Sequence, residues 1–137
     1  MTNSLTFDVV IADGCLSTSF DTLTVPDLTP AIGGTDTEDF TGINTLIDRD
    51  NNIVDLCGTK TYSILDSSNV AHTWISVAAK TGVANTYTIT ASPTDDALAG
   101  NTYTYKLKVE LDKDTSITQS YTFNVAPVVA TCSCANI

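Results

Sequence analysis

The residues of this chain that could do chemistry are few, and their spacing restricts what they could do. Four cysteines stand at Cys15, Cys57, Cys132 and Cys134. The last two are separated by one residue, in Thr131-Cys-Ser-Cys-Ala135. In an extended segment, residues i and i+2 lie about 6.5–7 Å apart, at or beyond the limit for Cα atoms joined by a disulfide. Cys132 and Cys134 are therefore expected to bond elsewhere. Paired C-x-x-C arms are missing and there is one histidine, so the four thiols are read as disulfide partners and not as a zinc site. Three connectivities stay open.

The densest acidic cluster is Asp48-Arg-Asp-Asn-Asn-Ile-Val-Asp55. Asp48, Asp50 and Asn52 follow the i, i+2, i+4 spacing of a calcium loop, in which short oxygen-bearing side chains converge on one cation. Ile53 stands where such a loop needs glycine and Thr59 where it needs a bidentate Glu, which excludes an EF-hand. A looser surface calcium site on Asp48, Asp50, Asn52 and Asp55 is the lesser reading, and a solvated Asx-rich turn the preferred one. No other cofactor is expected. Asp95, Asp96, Asp112 and Asp114 read as turn residues.

One histidine (His72), one arginine (Arg49) and two glutamates (Glu38, Glu110) leave most acid–base and nucleophile–base constellations unassembled, so the chain reads as a non-enzyme. His72 and Trp74 lie two apart on an expected strand and should face the same side. A carbohydrate platform would use such an aromatic, but a lone tryptophan in a β fold is more often core, and His72 has no identifiable nucleophile beside it.

The elements that must position these residues follow from composition. The 137 residues carry 16 acidic and six basic groups, a net charge of −10, with 42% hydrophobic residues. That is too apolar for a disordered acidic tail. Five lysines and Arg49 supply no basic stripe, which excludes nucleic acid as a partner. No apolar run approaches the roughly 20 residues of a membrane span, and the first residues lack the pattern of a signal peptide, so the expectation is a soluble chain, either a mature product or a piece cut from a longer one. Twenty-four threonines stand beside many valines, isoleucines and tyrosines, and helix formers are scarce. The expected class is all-β. Cysteines in such a chain fit an oxidising, extracellular or cell-surface location.

Period-two alternation predicts strands over residues 102–111, with Tyr103, Tyr105, Leu107, Val109 and Leu111 on one face, and over 117–125, with Ile117, Gln119, Tyr121, Phe123 and Val125. Residues 112–115 form the turn between them. Further strands are expected at 59–65, 72–77 and 85–90, and in the first half at 5–11, 20–25 and near 43–47, with long loops over 26–55. About seven to nine strands would form one antiparallel β-sandwich over residues 15–137, preceded by an N-terminal strand in residues 1–14.

The stretch Asn85-Thr-Tyr-Thr-Ile-Thr-Ala-Ser-Pro-Thr-Asp-Asp-Ala-Leu-Ala-Gly-Asn-Thr-Tyr-Thr-Tyr105, followed by Ser120-Tyr-Thr-Phe-Asn-Val125, resembles the end of a cadherin-like or immunoglobulin-like repeat. Leu56-Cys-Gly-Thr-Lys-Thr-Tyr-Ser-Ile64 resembles a strand start in large, repetitive surface proteins of microbial eukaryotes. The likeness covers residues 56–125 and implies an immunoglobulin-like or cadherin-like sandwich. It also implies a tyrosine-corner role for Tyr103. Calcium ligands of the Asp-x-Asn-Asp-Asn kind are absent, so calcium-dependent adhesion is not implied.

The two ends of the chain repeat each other. Ser4-Leu-Thr-Phe-Asp-Val9 matches Ser120-Tyr-Thr-Phe-Asn-Val125 at four of six positions, and Cys15 and Cys132 follow at nearly the same offset. Convergence between two Thr- and Phe-rich strands, with residues 4–11 an ordinary first strand packing on its own sandwich, is one explanation. The other is assembly: Leu5, Phe7, Val9 and Ile11 share one face of a strand that is donated to a neighbouring unit, whose acceptor edge lies at Ile117, Tyr121, Phe123 and Val125. Head-to-tail contacts of this kind extend into a homopolymer, with cysteines securing the joint; in a second form the chain is a unit cut from a tandem array, and residues 1–14 are the closing strand of the preceding unit. The expected function is that of a structural subunit or repeat unit of an extracellular filament, sheath or surface array. The alternatives are an adhesion or ligand-binding module that recognises a protein or glycan through loops 27–55, with or without calcium, and a viral decoration domain.

Overall fold

The computed structural model describes residues 2–9, 19–43, 45–46 and 58–131. Its elements are β1 (Ser19–Phe20), β2 (Asp36–Thr41), β3 (Thr45–Leu46), β4 (Lys60–Asp66), β5 (Ile75–Ala79), β6 (Thr86–Ala91), β7 (Tyr103–Leu111) and β8 (Thr118–Val125). A 3-10 turn, Asp96–Leu98, is capped by the Asp95 carboxylate, which accepts the Ala97 N–H at 2.9 Å. There is no α-helix among the described residues, as the scarcity of helix formers predicts.

The strands form two three-stranded antiparallel sheets, ordered β2-β6-β5 and β4-β7-β8, and β1 pairs with β3. One core joins the two sheets. Phe40, Ile75, Ile89 and Ala91 enter it from the first, and Ile64, Tyr105, Leu107, Phe123 and Val125 from the second. The arrangement is that of a β-sandwich. β7 is the central strand of its sheet and reads as its alternation predicts: Tyr105, Leu107, Val109 and Leu111 are buried, and Thr104, Lys106, Lys108 and Glu110 take the other face. Burying each large aliphatic side chain contributes roughly 1.5–3 kcal/mol.

The hairpin β7–β8 and strands β4 and β6 lie within a residue or two of their expected places. The first half departs further. β2 is a full strand inside the stretch expected to be loop, and it carries Asp36, Glu38 and Asp39. Acidic residues disfavour strands in general. Here β2 is an edge strand, paired with β6 alone, so its polar side chains stay wet while Phe40 alone is fully inserted. The strand expected over 20–25 stops at Phe20. The segment after it is held by packing instead, with Leu23 and Val25 in the core. His72 and Trp74 do not lie on a strand, because β5 begins at Ile75.

An aromatic cluster ties the two sheets near one end. Phe40 and Tyr62 meet edge to face at 5.5 Å, and Tyr62 and Tyr87 lie 4.3 Å apart. The Tyr62 hydroxyl accepts the Ile43 N–H at 2.9 Å, and burial pushes its ionisation up to about 12. Asp112, expected only as a turn residue, clasps the start of β4 as well: its carboxylate accepts from the Thr59 N–H at 2.9 Å and the Thr59 hydroxyl at 2.8 Å.

Candidate functional site

β8 is an edge strand, and what it offers outward is decided by register. It pairs with β7 from Glu110↔Thr118 to Tyr103↔Val125. In an antiparallel pair the N–H and C=O of one residue point to the same side, and successive residues alternate. Asn124 points away from β7, since its carbonyl accepts the Leu28 N–H at 3.0 Å and its N–H donates to the Asp27 carboxylate at 2.7 Å. Thr118, Ser120 and Thr122 must then point outward too. The Ile117 carbonyl, which accepts the Leu111 N–H at 3.4 Å, fixes the opposite phase.

Among the described residues, the chain covers the far end of this edge. Residues 28–31 run parallel to the end of β8, with bridges Leu28↔Val125 and Ala31↔Val128. The Ala126 N–H donates to Leu28 O and the Val128 N–H to Pro30 O, each at 2.9 Å. Further back, the Tyr121 hydroxyl donates to the Asp21 carbonyl at 2.6 Å. Ahead of the tie at Asn124, the outward backbone groups of Thr118, Ser120 and Thr122 have no backbone partner among the described residues. Each unpaired group is a template for an added strand.

The expected acceptor residues divide by role. Phe123 and Val125 are buried, and Ile117 and Tyr121 half-buried, so these side chains hold β8 on its own core. The part of β8 left open is the backbone between them, at positions the alternation assigned to the wet face.

The expected donor segment is the reverse case. Residues 2–9 belong to no strand and make no hydrogen bond among the described residues. Leu5 is 93% exposed, Phe7 82% and Val9 70%. A soluble surface leaves single apolar residues exposed routinely, but three at alternate positions form one apolar row. Their burial would contribute roughly 1.5–3 kcal/mol apiece, which folding within the chain leaves unrealised. Ile11 lies outside the described residues.

All four cysteines, Cys15, Cys57, Cys132 and Cys134, also lie outside the described residues, as do Asp48, Asp50, Asn52 and Asp55. Among the described residues no group of three His, Cys, Asp or Glu side chains converges as a metal site would require. No helix among them is long and apolar enough to cross a membrane. The Tyr103 ring meets Trp74 edge to face at 6.5 Å, and its hydroxyl makes no hydrogen bond among the described residues. His72, read as having no nucleophile beside it, is hydrogen-bonded to the Asp66 carboxylate at 2.8 Å. That pairing joins residues six apart across a turn, which strand periodicity does not signal.

No protein-family model matches the chain, and no curated protein matches it.

Proposed function

We propose that this chain is a structural subunit or repeat unit of an extracellular filament, sheath or surface array, assembled head to tail by β-strand addition. Residues 4–11 of one unit pair with the open edge of β8 in the next, and cysteines near the joint lock it covalently. The observation that carries this reading is the exposed row Leu5, Phe7, Val9 in a chain whose β8 leaves Thr118, Ser120 and Thr122 without a backbone partner on its outer margin among the described residues. Each feature alone is an aggregation liability. Together they are complementary, and the joint they make does not close on itself.

An immunoglobulin-like type of sandwich fits this assembly. The sheets β2-β6-β5 and β4-β7-β8 correspond to the B-E-D and C-F-G groupings of that fold, with residues 28–31 beside the last strand. Four cysteines in a small β-rich chain support an oxidising, extracellular location.

The test is negative-stain electron microscopy of native, unheated material beside a non-reducing gel, repeated on a variant lacking residues 1–13. Filaments or a covalent ladder from the whole chain, and a folded monomer from the shortened one, are the expected results. Uniform monomers from the intact chain, or an unfolded shortened chain, would remove the donor role.

A further inference from the structure

A cleft of about 520 Å³ lies where the end of β4, the connection to β5 and the start of β7 meet. Its wall is built around the Asp66 carboxylate. One oxygen accepts the N–H groups of Ser68 at 2.8 Å and Val70 at 2.9 Å, and the other meets His72 Nε2 at 2.8 Å. A carboxylate in this state can only accept, so Nε2 carries the proton and a neutral imidazole keeps Nδ1 as an acceptor. The hydrogen bond from His72 holds the Asp66 carboxyl below the usual carboxylate range.

Trp74 forms the other side. Its ring stands at 88° to Tyr105 with centroids 5.6 Å apart, and at 72° to Tyr103. Two edge contacts fix the indole while leaving it half-exposed in the cleft. Ser67 and Thr102 line the same space, and their hydroxyls make no hydrogen bond among the described residues.

The chemistry of this lining selects among ligands. Both Asp66 oxygens are already taken up by one imidazole and two N–H groups, so few lone pairs are left to ligate a cation. A wholly apolar ligand would strand the free hydroxyls and Nδ1 without partners. A neutral sugar ring has an apolar C–H face to lie on an indole and a rim of hydroxyls for the rest, and the volume is in the range of small-ligand sites. We propose that the cleft is a carbohydrate subsite that takes a neutral pyranose on Trp74, with His72, Ser67 and Thr102 bonding its hydroxyls. This is independent of strand addition, since none of these residues lies in β8 or in residues 4–11.

Trp74 is the sole tryptophan, so its emission reports on this cleft directly. The intact chain is titrated with methyl β-D-glucopyranoside, methyl α-D-mannopyranoside and N-acetyl-D-glucosamine, each to about 50 mM, following Trp74 fluorescence and the heat of binding. At least one sugar should give a saturable change with Kd near about 1 mM, at least about tenfold weaker in His72→Phe and lost in Trp74→Ala. Thermal melts identify any variant that fails to fold, and Thr102→Val, at the exposed rim, then serves as the second variant. The absence of a saturable change with all three sugars overturns the proposal, and so does binding that keeps its strength in the folded variants.

Discussion

Phe7 and Phe123 occupy the same place in two copies of one six-residue pattern, and Phe7 is 82% exposed while Phe123 is 2% exposed. The pattern suits one apolar face in both copies. What differs is the neighbour: Phe123 sits opposite Tyr105 on β7, their rings 6.1 Å apart, whereas residues 2–9 have no strand beside them among the described residues.

Equal side chains in unequal surroundings should respond differently to truncation. Phe123→Ala is expected to cost about 3–5 kcal/mol of folding stability by leaving a cavity, and Phe7→Ala to stay within about 0.5 kcal/mol in the isolated subunit while abolishing association. Denaturant unfolding and sedimentation velocity read the two effects separately. A loss of several kcal/mol in Phe7→Ala would make residues 4–9 an ordinary core strand.

The open edge can be closed without touching the fold. Ser120 points its N–H away from β7, so Ser120→Pro removes no ladder bond and places a ring where an added strand would bond. Stability should change by less than about 1 kcal/mol while polymerisation stops. Gln119→Pro, whose N–H faces β7, should destabilise the sandwich itself. Polymers from a folded Ser120→Pro chain would refute the edge as acceptor.

Gly58 should be among the least replaceable residues. Its φ of 88° is left-handed, and a Cβ there would run into the Asp112 carboxylate that clasps Thr59. Gly33, at φ 76°, has open space around its missing Cβ. Gly33→Ala should therefore lose only the backbone term of about 1–2 kcal/mol, and Gly58→Ala distinctly more. Equal losses in urea unfolding would show that the clasp yields at no cost.

Alkaline pH should unfold the protein through two tyrosines. Burial raises both Tyr62 and Tyr105 from 10 to about 12. The unfolded chain gives up these protons from pH 10 and the folded one only near 12, so their stabilisation is whole below pH 10 and falls as pH rises through that interval. Thermal melts beside phenolate absorbance test this, and a midpoint unchanged across the interval would contradict it. Tyr62→Phe should flatten part of the decline while losing the bond to the Ile43 N–H.

Alternation along one strand was readable wherever that strand has one wet and one buried face. The run from Tyr103 to Leu111 is the plainest instance, because side chains at i and i+2 share a face by backbone geometry alone. β2 was not readable, since Asp36, Glu38 and Asp39 are tolerated only because the strand ends a sheet, and edge position is a property of the assembled fold. The Asp66–His72 pair was hidden for a similar reason: a turn, not a periodicity, brings the two together.

By itself, then, the sequence determined an all-β chain, the faces of its longest strands and the likeness between residues 4–9 and 120–125, all of which depend on neighbours a few positions away. Only the tertiary structure decided that one copy of that likeness is covered and the other bare, that β8 keeps a margin at Thr118, Ser120 and Thr122 with no backbone partner among the described residues, and that Trp74 lines a cleft. Burial and hydrogen-bond satisfaction belong to pairs of segments brought together from far apart in the chain, and no window of sequence contains both members.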